Sequence, residues 1–102
     1  MSEVTKGSAI GSGRRASTTP GTAIQLTTTS TSCKNVFISA STANTNPIAI
    51  GDSAVKAAAD TTQQGMLLVP GNDVVYIEID NVSKLYFDVI TSGDAVVFSY
   101  TS

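Results

Sequence analysis

Few residues of this chain could support chemistry, and the most reactive of them is a single cysteine. Cys33 stands beside Lys34, an arrangement in which a lysine ammonium could stabilise a nucleophilic thiolate. The chain contains no His, so the usual base of a cysteine dyad is missing. One Cys can neither form an internal disulfide nor complete a tetrahedral zinc site. We therefore expect Cys33 to be a buried or half-buried structural thiol.

Carboxylates offer two further kinds of chemistry, calcium binding and acid–base catalysis. Five aspartates stand at predicted turns: Asp52, Asp60, Asp73, Asp80 and Asp94. The spacing of a calcium-binding loop is absent, and Asp at a turn is explained by hydrogen bonds to its own backbone. Glu78 and Asp88 could be imagined as a glycosidase pair, but the strand pattern points both toward solvent and fixes no separation. We predict no metal, no cofactor and no catalytic residue, and hence no enzyme.

A basic, glycine-containing segment near the start of the chain has three interpretations. Residues 11–16 (Gly-Ser-Gly-Arg-Arg-Ala) match a loose dinucleotide pattern, but Thr18-Thr19-Pro20 prevents the helix that this pattern needs. Arg14-Arg15-Ala16-Ser17 is similar to a site for a basophilic kinase, a short pattern that occurs often by chance. We prefer a third interpretation, in which Lys6, Arg14 and Arg15 contact carboxylates or phosphates of a partner.

Composition and charge exclude several classes of protein. Ser and Thr make up 27 of the 102 residues and charged residues only 14%, against roughly 25% in ordinary soluble domains. Net charge is −2, so specific nucleic-acid binding is not expected. Residues 1–34 hold four basic residues and one acid, whereas residues 35–102 hold two basic residues and seven acids. No apolar run approaches a membrane span, and the start of the chain is not typical of a signal peptide, so synthesis in a cytoplasm is expected.

The elements that must position these residues are β-strands. Seven runs of β-branched, aromatic or other apolar residues are separated by turn residues: 23–27, 36–40, 48–51, 66–69, 74–79, 85–90 and 95–100. Most of them alternate with a period of two, whereas residues 66–69 are all apolar. This pattern is typical of an all-β sandwich or barrel. We predict a single small antiparallel β-sandwich, jelly-roll-like with about seven or eight strands, over residues 20–102. Residues 1–19 are predicted to form an extended basic arm.

The same alternation predicts the core and leaves one segment ambiguous. The expected core is Ile24, Leu26, Val36, Ile38, Ile48, Ile50, Leu68, Val75, Ile77, Ile79, Leu85, Phe87, Val89, Val97 and Tyr100. The Ala-rich residues 53–60 could form two helical turns, with Asp52 or Ser53 as the N-cap. A loop with a short strand is favoured, because a helix of this length is too short to stand alone.

Three segments carry a resemblance to a known group of proteins. They are residues 44–51 (Asn-Thr-Asn-Pro-Ile-Ala-Ile-Gly), 68–74 (Leu-Val-Pro-Gly-Asn-Asp-Val) and 81–87 (Asn-Val-Ser-Lys-Leu-Tyr-Phe). With the Thr-rich opening and the lone Cys33-Lys34 before a strand, their order resembles that of small β-sandwich virion proteins of tailed bacteriophages. The resemblance covers residues 20–100, and residues 1–19 depart from it.

The resemblance implies a structural function and supplies no catalytic residues. Similar proteins are capsid decoration (cement) proteins, which stabilise the shell by binding across capsomers of the major capsid protein, commonly as homotrimers. The implied location is the capsid surface of the virion, after synthesis in the cytoplasm of the host bacterium. Two alternatives stay open: a tail, fibre or head–tail accessory protein, and a carbohydrate-binding module.

Overall fold

The computed structural model describes residues 9–58 and 62–102, and it consists of two four-stranded antiparallel sheets. The first sheet has the order β1-β8-β3-β6 and the second the order β2-β7-β4-β5. The strands are β1 Ile10–Ala16, β2 Ile24–Gln25, β3 Asn35–Ala40, β4 Ile48–Gly51, β5 Met66–Leu68, β6 Val74–Ile77, β7 Tyr86–Val89 and β8 Ala95–Thr101. Within these ranges the only helix is one 3-10 turn, Val82–Lys84, and none is long and apolar enough to cross a membrane. The all-β prediction is confirmed.

The strand pairs are nested along the chain. β1 pairs with β8, β2 with β7, β3 with β6, and β4 with β5, all antiparallel. Two further pairings, β3 with β8 and β4 with β7, join these pairs into the two sheets. At the outer end of the nest, the backbones of Ala9 and Ser102 exchange two hydrogen bonds, 3.0 and 3.3 Å long. The two ends of the described fold therefore lie side by side.

One apolar core is built from both sheets. Val36, Ile38 and Ala40 alternate along β3 and are buried, as the period of two predicts. Fourteen of the fifteen predicted core residues lie in this cluster or pack against it, and the exception is Val97. Val97 was predicted wrongly, since its neighbours Val96 and Phe98 fill the core and Val97 lies on the opposite face of β8.

The predicted boundary between arm and domain at residue 20 is corrected by β1. Residues 10–16, assigned to the arm, pair along their whole length with β8. Gly11 and Gly13 face the core side of this pair, where an added Cβ would lie 2.4 Å from the ring of Tyr100 or 2.5 Å from that of Phe98. The Gly-x-Gly pattern thus makes room for two aromatic rings that cover a bare strand. Residues 1–8 of the predicted arm lie outside the described residues.

The segment after β4 covers the outer face of the second sheet. Val55 and Ala57 are buried against Ala49 in a second, smaller apolar cluster, on the side of β4 that faces away from the main core. Residues 53–58 contain a turn and an isolated bridge from Lys56 to Gln64, which confirms the loop with a short strand over the helix. This covering segment, residues 52–58, has no counterpart among the described residues on the first sheet.

Candidate binding surfaces

The outer face of the first sheet exposes an apolar group that we call the aromatic patch, formed by Phe37, Val74 and Tyr76. Their exposed fractions are 47%, 68% and 48%, high values for large apolar side chains. The rings of Phe37 and Tyr76 are paired across β3 and β6 with centroids 4.9 Å apart. Beside them lies a shallow depression of about 310 Å³, whose floor includes Ser39, Val97 and Ser99. The face is therefore apolar, hydroxyl-bearing and free of acidic groups at its centre.

The apolar exposure continues along one edge of the molecule. Among the described residues, six of the seven exposed large apolar side chains lie on β3, β5 or β6 or directly after β5. The three beyond the aromatic patch are Met66, Leu67 and Val69. β5 and β6 are the last strands of the two sheets and are joined by the turn at residues 69–73, so they form one edge. Exposed apolar side chains gathered in this way are typical of an interaction surface.

Acidic residues flank this edge and leave its centre neutral. Asp73 precedes β6 and accepts a hydrogen bond from the backbone of Val69, closing the turn. Glu78 follows β6 and is exposed, as predicted, and it accepts a 3.0 Å hydrogen bond from the Tyr76 hydroxyl. That hydrogen bond raises the pKa of Tyr76, because the carboxylate stabilises the protonated phenol. This hydrogen bond joins the aromatic patch to Glu78, one of the two acidic residues beside it.

The opposite edge, formed by β1 and β2, contains a cleft of about 360 Å³. Four threonines (Thr27, Thr28, Thr29 and Thr31) line it together with the rings of Phe98 and Tyr100. At its mouth the Arg15 guanidinium donates a hydrogen bond to the backbone carbonyl of Gln25 and so joins the edges of the two sheets. The cleft offers hydroxyl groups, a guanidinium and aromatic rings, and its described lining contains no carboxylate.

The structure separates the basic residues that the sequence grouped as one partner-binding set. Arg14 and Arg15 are neighbours on a β-strand, so Arg14 lies on the exposed outer face while Arg15 lies toward the second sheet. Both residues nevertheless line the cleft at the β1–β2 edge. Lys6 lies outside the described residues. Ser17 is only 1% exposed and its hydroxyl accepts a hydrogen bond from the backbone of Thr19, so the folded domain does not present it to a kinase.

Asp88 is the largest departure from the predicted placement of acids. It was expected to face solvent, but it is fully buried on the outer side of β7, beneath the covering segment. Its two carboxylate oxygens accept hydrogen bonds of 2.9 Å from the backbone N–H groups of Gly21 and Ala57. Asp88 lies in β7 of the second sheet, whereas Glu78 directly follows β6 of the first sheet, so the structure does not pair them. The role of Asp88 is to hold two loops against the sheet.

The prediction that turn aspartates accept hydrogen bonds from their own local backbone is confirmed for Asp52, whereas Asp94 and Asp80 make other contacts. Asp52 accepts from Ala54 at 3.0 Å, and Asp94 accepts from Thr45 and Asn46, which belong to a distant loop. Asp80 forms a 2.8 Å ion pair with Lys84, and this hydrogen bond lowers the pKa of Asp80. Asp60 lies outside the described residues. Within those residues, no group of three potential ligands is close enough to hold a metal ion.

Two asparagines, to which the sequence analysis assigned no role of their own, hold loops in place through side-chain hydrogen bonds to the backbone. The Asn44 side chain donates to the carbonyl of Ala95 at 2.8 Å and accepts from its N–H at 2.7 Å. Asn81 caps the 3-10 turn by accepting from the backbone of Ser83, and it also accepts from the backbone of Thr31. The signal was available, since Asn at a turn is commonly bonded to backbone.

The cysteine prediction is confirmed. Cys33 is buried at 8% exposure, and its thiol donates a 3.1 Å hydrogen bond to the carbonyl oxygen of Ile79. Burial, and then the nearby charge of Asp80, raise the pKa of the Cys33 thiol. A thiol held in the protonated form is a poor nucleophile and suits a structural role.

Comparison of the chain with protein-family models, with curated proteins and with solved structures found no match. Neither relatives nor neighbours in fold assign an activity. The surfaces and the strand order therefore carry the functional argument.

Proposed function

We propose that the two sheets form a jelly roll. The nested pairing described above is what results when one long antiparallel hairpin is rolled up, with β1 and β8 outermost and β4 and β5 at its closed end. The strand orders β1-β8-β3-β6 and β2-β7-β4-β5 support this assignment. An eight-strand double-sheet roll with two Greek keys is an architecture that recurs in viral capsid proteins and lectins.

We propose that the protein is a non-enzymatic structural protein of a tailed-phage virion, and that it decorates and stabilises the capsid. The observation that carries this proposal is the bare outer face of the first sheet, with Phe37, Val74 and Tyr76 between 47% and 68% exposed. A cement protein acts by burying surface across capsomer junctions, and such a face supplies area to bury. Hydroxyl side chains around the patch can hydrogen-bond to a partner without the desolvation cost of charges.

The proposed partner is the major capsid protein, and the proposed assembly is a homotrimer on the capsid surface. Aromatic side chains are the commonest anchors of protein interfaces, which makes Phe37 and Tyr76 the expected centre of contact. Arg14, exposed on the same outer face, supplies a cation for a carboxylate of the capsid protein. We expect residues 1–8, part of the predicted basic arm, to contribute to binding of a neighbouring capsomer.

The test is binding to purified shells of the phage that carries the sequence. The intact chain should sediment with the shells, and gold-labelled antibody should mark the head surface of virions. Changing Phe37 and Tyr76 together to Ser should weaken binding by at least about tenfold, which is about 1.4 kcal/mol. Removing residues 1–8, which leaves β1 intact, should weaken it as well. The control variant is Ser53→Ala, on the face of the second sheet.

Two results would reject the capsid assignment. One is label on the tail or fibres with none on the head, which favours a tail, fibre or head–tail accessory protein. The other is retention of the Phe37/Tyr76 double variant on shells at the level of the intact chain. Circular dichroism of the double variant keeps a folding defect from being taken for a loss of binding.

A carbohydrate-binding module is a second candidate, favoured by the cleft at the β1–β2 edge. Sugar sites combine hydroxyl and guanidinium donors with an aromatic ring, and this cleft has Arg15, four threonines and Tyr100. A glycan array probed with the intact chain and with Tyr100→Ala tests it. Glycan binding that Tyr100→Ala abolishes supports this candidate, and an array without signal rejects it.

A further inference from the structure

The two free edges of the first sheet carry opposite charge. β1 carries Arg14 and Arg15, and no Asp or Glu occurs between residues 4 and 51. β6, at the other edge, is flanked by Asp73 and Glu78. Among the described residues, the only salt bridge joins Lys84 to Asp80, so none of these four side chains forms an ion pair there. Arg15, Asp73 and Glu78 each make one hydrogen bond to an uncharged group. The sheet is basic at one edge and acidic at the other.

Strand direction allows these edges to meet in successive copies. Every neighbour in the first sheet is antiparallel, so β1 and β3 run one way and β8 and β6 the other. A second copy placed beside the first in the same orientation brings its β1 antiparallel to β6. Both edges then gain the backbone hydrogen bonds that an edge strand lacks.

The rows of side chains on the outer face define the register in which two copies pair without a stagger. One row runs Ser12, Ser99, Phe37 and Tyr76, and the next runs Arg14, Val97, Ser39 and Val74. Continuing both rows without a stagger places Ser12 of the second copy opposite Tyr76, and Arg14 opposite Val74. The same register places Arg15 of the second copy opposite Asp73. Val74, the most exposed of the three patch residues, is then covered by the aliphatic part of the Arg14 side chain of the second copy.

We propose that β1 of one copy pairs antiparallel with β6 of the next, joining copies head to tail into a continuous sheet. β6 lacks three of the devices that protect an edge strand, because Val74-Val75-Tyr76-Ile77 contains no charge, no proline and no bulge. Head-to-tail contacts close into a ring when the rotation permits and otherwise form an open chain. The pairing extends the aromatic patch across copies, and it does not depend on what that face binds.

Charge exchange tests the register. Arg14→Glu places a carboxylate next to the acidic residues that flank β6, and Val74→Lys places an ammonium opposite Arg14. Each variant should therefore weaken self-association at least about tenfold. The double variant restores an attractive pair and should recover to within about threefold of the intact chain. Both positions are exposed, so the fold should be unaffected. The measurement is molar mass by light scattering as a function of concentration.

Cysteine cross-linking tests the direction of pairing. Within one copy, β1 and β6 are three strand spacings apart, about 14 Å, which is too far for a disulfide. A mixture of Ser12→Cys and Tyr76→Cys chains should therefore give a cross-linked dimer under mild oxidation. Each variant alone should give little, and the intact chain controls for the buried Cys33.

Three results would overturn the proposal. They are a monomeric intact chain at millimolar concentration, failure of the Arg14/Val74 double variant to recover, and efficient cross-linking of Tyr76→Cys with itself, which indicates a two-fold β6 contact. All three are measured as self-association or cross-linking of the isolated chain, so they are distinguishable from a loss of shell binding by the Phe37/Tyr76 double variant. Recovery of the double variant together with the mixed cross-link supports the proposal.

Discussion

The two outer faces of this molecule differ in how they are covered. The face of the second sheet lies under residues 52–58, which bury Val55 and Ala57 against Ala49 and hold Asp88 out of solvent. The face of the first sheet has no such cover among the described residues and exposes Phe37, Val74 and Tyr76. Both faces carry apolar side chains at alternate positions. The difference lies in whether the chain itself supplies the atoms that exclude water.

The comparison teaches where a small domain needs a partner. A chain of 102 residues buries only about two thirds of its unfolded surface, so it has few segments available for covering a sheet. Here the segment between β4 and β5 covers one face and is anchored by a buried carboxylate. The other face has rings and hydroxyls in place of a cover. A partner in an assembly can cover that face. Four predictions test this difference between the covered face and the uncovered one.

The largest effect is expected from Asp88→Ala. The substitution leaves the N–H groups of Gly21 and Ala57 without their acceptor in a fully buried site, at about 1–3 kcal/mol each. We expect a loss of about 3 kcal/mol or more in the free energy of unfolding, measured by urea denaturation. Asp52→Ala is the control, because that exposed carboxylate accepts only the local N–H of Ala54. Equal losses in the two variants would show that the cover is not held by Asp88.

A smaller loss is expected from Gly65→Ala, at the end of the covered region. Gly65 has φ +102°, and a Cβ there would lie 2.5 Å from Val55 and 2.7 Å from the carbonyl oxygen of Ile50. Gly21 also has positive φ, +89°, but no atom lies within 4 Å of its Cβ position. Gly65→Ala should therefore cost about 2 kcal/mol more than Gly21→Ala, which reports the backbone strain alone. Thermal unfolding of both variants measures the difference, and similar midpoints would contradict tight packing of the cover.

On the bare face, Phe37→Ala should change stability little. Phe37 is 47% exposed and loses mainly its ring contact with Tyr76, worth about 0.5–1.5 kcal/mol. The adjacent Ile38 is fully buried, so Ile38→Ala should cost about 2–5 kcal/mol. Urea denaturation compares the two neighbours. A cost for Phe37→Ala as large as that for Ile38→Ala would mean that the outer face belongs to the core.

The smallest effect is a pH dependence at the aromatic patch. The hydrogen bond to Glu78 raises the pKa of Tyr76, so Glu78→Ala should lower it. Because the pKa is raised, the hydrogen bond stabilises the folded state at pH values below the pKa of an unfolded tyrosine, near 10. This stabilisation is lost as the pH rises through the pKa of Tyr76 in the folded protein. NMR titration of the tyrosine ring carbons measures the shift, with Tyr76→Phe to identify the signal. An unchanged midpoint in Glu78→Ala would rule out the hydrogen bond in solution.

Runs of β-branched, aromatic or other apolar residues between turn residues, most of them with a period of two, were sufficient to predict seven of the eight strands. Val36, Ile38 and Ala40 illustrate why, because a period of two with one apolar face has a single solution. β8 shows where the rule loses force. Val96, Val97 and Phe98 are all apolar, so both registers look plausible and only the pairing with β3 decides which face is inside.

β1 was missed because its inward positions carry glycine rather than an apolar side chain. The apolar atoms that fill this part of the core belong to Phe98 and Tyr100 of the paired strand. A hint was present in the sequence, since Gly11 and Gly13 have the same spacing as these two aromatic residues. Such a cross-strand match is visible only once the pairing of β1 with β8 is known.

Prediction of the functional surfaces from sequence had the same limit. The structural role of Cys33 followed from residue type, because a thiol without a base or a second ligand has little chemistry. Asp88 was predicted to be exposed because its position in the strand points it to the outer face of the sheet. The sequence pattern does not show that a loop covers that face. For the same reason strand parity alone does not show that Phe37 and Tyr76 lie on an uncovered face. Long-range packing, and not local pattern, separates the two faces.

The reciprocal hydrogen bonds between Ala9 and Ser102 have a consequence for engineering. Since these residues are neighbours in space, a linker of a few residues could join them and allow the chain to be opened elsewhere as a circular permutant. A peptide fused at either position would emerge from the same spot, beside the end of the β1–β8 ribbon. Among the described residues, this position lies at the edge of the sheets opposite the turn at residues 69–73, so a peptide fused there would leave that turn uncovered.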